Sequence, residues 1–213
     1  MYIVGIDLSG PRNVAHTCVT VFRVQGPALS FVQAVHEADD AAIHQLVSEI
    51  GKQGSVIIGI DAPLSYNPGG GDRPSDADLR RQVRAKGRVG VMPPTLIRMV
   101  YLTLRGIALT RMLEALRPAA DLRIVEVHPG AAMLLRDAPA ADVAAFKGDS
   151  AARLRLLDWL ETVGLQSIPR STEPSDHFVA ACAASLAAWQ WAAGQPAWCA
   201  RAQPPAHPYD FAC

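Results

Sequence analysis

Ile3-Val4-Gly5-Ile6-Asp7 and Ile57-Ile58-Gly59-Ile60-Asp61 are one phrase written twice. Each is a short β-branched run that ends in an acid, the composition of a buried strand. Side chains alternate faces along a strand, so Asp7 points the same way as Gly5 and Asp61 the same way as Gly59. The glycine clears a place on that face where a metal, a ligand or another backbone could approach. Two neighbouring strands of this kind set two carboxylates side by side, and like charges at that range call for a cation or a proton between them. Each Asp is also a good turn former, in Asp7-Leu-Ser-Gly-Pro and in Asp61-Ala-Pro-Leu-Ser, so a plain turn is the competing explanation.

Working outward, residues 2–8, 15–24 and 29–37 read as strands, the last two joined through Gln25-Gly26-Pro27-Ala28 as an antiparallel hairpin. Asp39-Asp40 opens a helix to about residue 51, with Ile43, Leu46, Val47 and Ile50 at helical spacing. The repeated phrase follows at 55–60. A hairpin, a helix and a returning strand beside the first bring Asp7 and Asp61 together. A Gly/Pro-rich loop at 66–74 precedes helices at 75–87 and about 94–117, the second entered through Pro93-Pro94. A fifth strand spans 122–127. Beyond it lie a short helix after His128-Pro129-Gly130, a loop around Lys147-Gly148, and helices at 150–163 and about 175–193. Residues 1–195 form one expected domain, and 196–213 a Pro-rich tail lying extended on the surface.

Composition narrows the class. Half of the 213 residues are hydrophobic, enough for one sizeable core, and the formal net charge of zero gives no global field for a polyanion. Charge is uneven, however. Between Arg73 and Arg111 nine Lys or Arg residues face only Asp76 and Asp78. Arg73, Arg80, Arg81 and Arg84 are therefore candidate phosphate contacts, the alternative being a solvated helix face. Tyr101 is the lone aromatic of that segment, which argues against a stacking platform for single strands. The four cysteines lack zinc spacing. Cys18 and Cys182 sit in apolar runs and read as buried, whereas Cys199 and Cys213 lie in the tail and read as exposed. With no signal-type leader and no uninterrupted apolar run of spanning length, the expectation is a cytoplasmic protein that does not enter membranes.

Two further acids matter. Glu126 sits in an apolar strand, sharing a face with Ile124 and His128, where a carboxylate must be paired or metal-bound; a partner Arg from 73–111 is the structural alternative. His128 is a candidate ligand or proton carrier, or else a turn residue bonding backbone. Asp176 opens the last helix, where the macrodipole favours an ionised acid. Ala180, Ala181, Ala183 and Ala184 let that helix pack close and carry Asp176 toward the other acids.

The phrases Val4–Pro11, Ile58–Ser65, Arg73-Pro-Ser-Asp76, Val125-Glu-Val-His-Pro129, Phe146-Lys147 with Arg153, and Asp176–Ala181 resemble a family known as domain of unknown function 429, a predicted nuclease. The similarity spans roughly residues 2–192. It implies an α/β, ribonuclease H-like fold, with a mixed five-stranded sheet flanked by helices and a divalent metal on carboxylates. Carried over by position, the acidic cluster is Asp7, Asp61, Glu126 and Asp176, with Arg73, Asp76, Lys147 and Arg153 as secondary positions. The chemistry then expected is a metal-dependent phosphodiester hydrolase. Two Mg²⁺ or Mn²⁺ ions about 3.5–4 Å apart activate a water and stabilise the leaving oxygen. Asp7 bridges them, Asp61 and Asp176 flank them, Glu126 completes a shell, and Lys147 or Arg80 neutralises phosphoryl charge. Two alternatives stay open. One is an actin-like or sugar-kinase-like nucleotide phosphotransferase, with Gly69-Gly70-Gly71 as a weak phosphate loop. The other is a non-catalytic module binding nucleic acid or protein through 73–111.

Overall fold

A computed structural model describes residues 1–87, 90–91, 98–117 and 119–213. It shows a mixed α/β fold: seven α-helices around one eight-stranded sheet among the described residues. In chain order the strands are β1 (Tyr2–Asp7), β2 (Cys18–Gln25), β3 (Ala28–His36), β4 (Val56–Asp61), β5 (Leu122–Val127), β6 (Leu165–Gln166), β7 (Cys199–Ala200) and β8 (Phe211–Ala212). The helices are α1 (Asp40–Gly51), α2 (Pro74–Arg84), α3 (Val100–Glu114), α4 (Pro129–Leu135), α5 (Ala140–Ala145), α6 (Ser150–Thr162) and α7 (Asp176–Ala192).

The sheet order is β6-β3-β2-β1-β4-β5-β8-β7. β2 runs antiparallel to β1 and β3, while β1, β4, β5 and β8 are parallel. The five strands expected from sequence all form, and the sheet is wider than the five expected. The added strands are two residues each, too short to show a period of two. Two of them come from the expected tail. Phe211 and Ala212 pair with Glu126 and Val127, and Cys199 and Ala200 pair back onto β8. The Pro-rich stretch is thus sheet edge at both ends, and Cys213, expected to be exposed, is fully buried. Cys18 and Cys182 are buried, as expected, and Cys199 is half-buried.

Each face of the sheet carries its own core. On one side α1 and α3 bring Ile43, Val47, Leu109 and Leu113 against Val4, Ile6, Ile58 and Ile60. On the other, α7 lies directly on β1 and β4, backed by α4 and α6. The glycines make that second contact possible. A Cβ on Gly5 would collide with the Ala181 carbonyl and stand 2.5 Å from Ser185 N. One on Gly59 would be 2.7 Å from the Ala184 carbonyl and 2.9 Å from Ala188 Cβ. The place cleared by each glycine is filled by the backbone of α7, and Thr20 and Ser185 hydrogen-bond beneath it at 3.0 Å. The alanine stripe of α7 is the matching half of the same close approach.

Some boundaries moved. β2 begins at Cys18 rather than residue 15, because Val14–His16 form a 3₁₀ turn tied down by Ser9 Oγ and Thr17 Oγ1, 2.8 Å apart. α3 begins at Val100; the Pro93-Pro94 entry expected for it lies outside the described residues. Among the described residues no helix is long and apolar enough to cross a membrane.

Candidate functional site

The C-terminal ends of β1, β4 and β5 meet the N-terminus of α7 at one rim of the sheet and open on a cleft of about 560 Å³. Asp7 and Asp61 are register partners on parallel strands, and their carboxyl groups lie close enough to interact. Loss of solvation, then the Asp7 charge, push the pKa of Asp61 well above the usual carboxylate range, with Lys147 pulling partly back. Two carboxyls in contact without a cation favour a proton between them.

α7 brings the third acid. Ser175 caps the helix, its Oγ accepting from Phe178 N at 3.1 Å, and Asp176 is the first helical residue. The next residue completes the group. His177 Nδ1–H donates to Asp7 Oδ2 at 2.7 Å, and its Nε2 lies 3.8 Å from Asp176 Oδ1. The Asp7 hydrogen bond holds the His177 pKa above its ordinary value. His16 stacks on it, ring centroids 4.9 Å apart. Sequence reasoning quoted His177 inside the Asp176–Ala181 phrase without giving it a role. Its adjacency to an acid at a helix start was the available signal.

Lys147 lines the same cleft from the turn between α5 and α6. That turn is anchored by buried Phe146, whose carbonyl accepts from Arg153 Nη1 at 2.9 Å. Arg153 therefore fixes the backbone that presents Lys147.

Glu126 lines the same cleft, and its charge adds to the rise in the Asp61 pKa, but it leaves its strand on the other face. Its register partner is Ile60, so alternation starts its side chain on the α1/α3 face, opposite to that of Asp61. Arg73 Nη2 and Nη1 donate to its two oxygens at 2.5 and 2.9 Å, and Leu64 N donates to Oε2 at 2.9 Å. Asp76 completes the cluster, bonding Arg73 Nε and Nη2 at 3.0 and 2.7 Å. Arg73 and Glu126 are 3% and 4% exposed, so this is a buried ion pair rather than a pair of surface groups. Burial raises the Glu126 pKa, and Arg73 opposes it.

The remaining basic residues of 73–111 are mostly engaged within the fold. Arg80 forms a two-pronged pair with Asp72 at 2.8 Å and also donates to the Val91 carbonyl. Arg81 pairs with Asp78, and Lys86 with Asp137. Arg84 and Arg111 are exposed. Arg105 is buried and spends its guanidinium on Asp40, Ser9 O, Thr17 Oγ1 and Ala38 O, clamping α3 to the β1 exit. An Arg inside an apolar helix was the clue to that role, and counting it as basic surface hid it. His128 caps α4: Ala131 N donates to its Nδ1, so its Nε2–H faces the Gly90 carbonyl at 3.1 Å. Burial lowers its pKa, leaving a neutral ring with both nitrogens in use. Gly69, Gly70 and Gly71 take positive φ in an exposed loop and do not line the cleft.

Among the described residues no group of three or more His, Cys, Asp or Glu side chains is already spaced to hold a metal ion. The cleft lining includes Asp7, Asp61, Asp176 and His177, with Asp76, Glu126, His16 and His128 on the same lining.

No curated protein sequence matches the chain. Among solved structures it is similar to Thermus thermophilus RuvC, at 14% identity and a TM-score of 0.44, over 92% of this chain and 98% of that one. The family described as Protein of unknown function (DUF429) matches residues 5–207, and the chain belongs to that family.

Proposed function

We propose that this protein is a divalent-metal-dependent phosphodiesterase built on a ribonuclease H-like sheet, with Asp7, Asp61 and Asp176 as the metal-holding acids. The observation that carries the reading is the in-register contact of Asp7 with Asp61, joined by Asp176 and His177 from α7. The strand order β3-β2-β1-β4-β5, with β2 alone reversed among them, supports the same fold.

The donor set suits Mg²⁺ or Mn²⁺. It is dominated by carboxylate oxygens, and the charge that now raises the pKa of Asp61 is the charge a cation would balance. Bound there, the metal supplies an activated water and stabilises the leaving oxygen. The protein's own groups do the rest. His177 holds a proton against Asp7 and is placed to pass it to a nearby oxygen. Lys147 offsets charge on the phosphoryl oxygens. Glu126 and Arg73 act indirectly, fixing Leu64 N and hence the β4 exit that presents Asp61.

The test is a calorimetric titration of Mn²⁺ into metal-stripped wild type and Asp7→Asn, with folding checked by circular dichroism and phosphodiester hydrolysis measured on both. Binding and hydrolysis in wild type, both lost in a folded Asp7→Asn, are expected. Full activity in the variant overturns the proposal.

A further inference from the structure

Resting on that reading, we infer that the substrate is a small phosphodiester, of dinucleotide or cyclic-nucleotide size, rather than a duplex polynucleotide. Three observations converge on the cleft.

The first is charge. Its described lining contains the carboxylates Asp7, Asp61, Asp76, Glu126 and Asp176, against Arg73 and Lys147. Arg73 is committed on both sides to Asp76 and Glu126. Among the described lining residues, Lys147 is the Lys or Arg outside that ion pair. Two divalent ions would bring such a cleft near neutrality, enough for one phosphodiester and little more.

The second is the approach to the cleft. A duplex presents one charge per about 1.7 Å, and its binders spread several Lys or Arg contacts along it. Among the described residues, Arg80, Arg81 and Lys86 are paired to Asp72, Asp78 and Asp137, Arg105 is buried, and the exposed Arg12 and Arg84 do not line the cleft. Exposed Arg111 lines a different hollow, of about 370 Å³, between α3 and residues 205–209.

The third is shape. About 560 Å³ fits a drug-sized ligand. Beside the acids, the lining includes apolar side chains: Val91, Met99, Leu102 and Phe146. A base or another aromatic arm can lie on these side chains while its single phosphate reaches Lys147 and the acids.

The experiment uses the full chain loaded with Mn²⁺. It compares kcat/KM, per phosphodiester, for a dinucleoside monophosphate and for a duplex of about 20 base pairs at about 50 and about 200 mM salt. The expected result is at least tenfold preference for the dinucleoside, with little loss across that salt range, because a single phosphate has no condensed counterions to release. A duplex cleaved faster, with a loss of about a hundredfold or more, overturns the small-substrate inference and leaves the phosphodiesterase reading standing. Hydrolysis of neither by a Mn²⁺-binding protein overturns the phosphodiesterase reading, and the inference with it.

Discussion

Asp7 and Asp61 occupy the same register step of two parallel strands, and so do Gly5 and Gly59 two residues before them. The duplication lines a cleft at one end and seats a helix at the other. The acids meet in the cleft, while the glycines admit α7, which delivers Asp176 and His177 to those acids. A change at a glycine therefore acts on the site through the position of the helix.

Without metal, that contact has a pH signature. Asp61 binds its proton more tightly folded than unfolded, so the folded state carries the extra proton above the ordinary value of 3.8. Its contribution is full below that value and is lost as pH rises through the raised pKa. His177, raised above 6.5 by Asp7, loses its contribution with the same sign at higher pH. The difference in Tm between wild type and Asp7→Asn, followed from about pH 4 to about pH 8, should move steadily in favour of the variant as Asp61 ionises beside Asp7. Relief of like-charge contact is worth on the order of 1 kcal/mol or more, or about 2–4 °C in a domain this size. A flat difference would mean the two carboxyls do not interact.

Gly5→Ala should be far more damaging than Gly59→Ala. At Gly5 the new methyl meets α7 backbone on both sides, Ala181 O and Ser185 N, which cannot yield without moving the helix off β1. At Gly59 the nearest atoms are 2.7 and 2.9 Å away. Overpacking of the second kind costs about 1–3 kcal/mol, and the first should exceed it. Urea unfolding of both variants checks the order, and equal stability would show that α7 does not sit on β1 as described.

Arg73 and Glu126 should behave as one unit. Removing either leaves a buried charge without its partner, a loss of about 3–5 kcal/mol. Replacing both, as Arg73→Met with Glu126→Gln, should cost less than the sum of the single changes, the residual loss falling on buried Asp76, which Arg73 also holds. Arg73→Lys should fail to restore stability, since a point ammonium cannot serve Glu126, Asp76 and Ser65 together. A double-mutant cycle with no coupling would return Glu126 to the list of metal ligands.

The sequence carries the centre of the fold more clearly than its edges. Long strands with Gly-Ile-Asp endings, the hairpin and the alanine-rich helix all show their period, and together they place Asp7, Asp61 and Asp176. Glu126 was legible as a buried acid in need of a partner, but the choice between metal and Arg73 depended on the strand register, which puts it opposite Ile60. The basic stretch misleads for a related reason. A count of Arg residues does not distinguish Arg105, buried and fully bonded, from Arg84, which is exposed. β8 was hidden because two residues, Phe211 and Ala212, have no period, and their strand identity comes from the open edge of β5. Phe211 then covers the ion pair, its ring 5.5 Å from the Arg73 guanidinium carbon.

Metal uptake should release protons. Asp61 and Asp7 lie close enough to interact and His177 donates to Asp7, so a cation entering among these oxygens displaces the proton held by Asp61 and weakens the hold on the one at His177. Mn²⁺ affinity should therefore rise with pH, up to about tenfold per pH unit for each proton lost. Titration in two buffers of different ionisation enthalpy counts those protons directly. His177→Gln should remove the part of the release that belongs to the imidazole, leaving that of Asp61 in place. Binding that is indifferent to pH and releases no proton would put the metal elsewhere, because the raised pKa of Asp61 makes a cation at these oxygens compete with a proton.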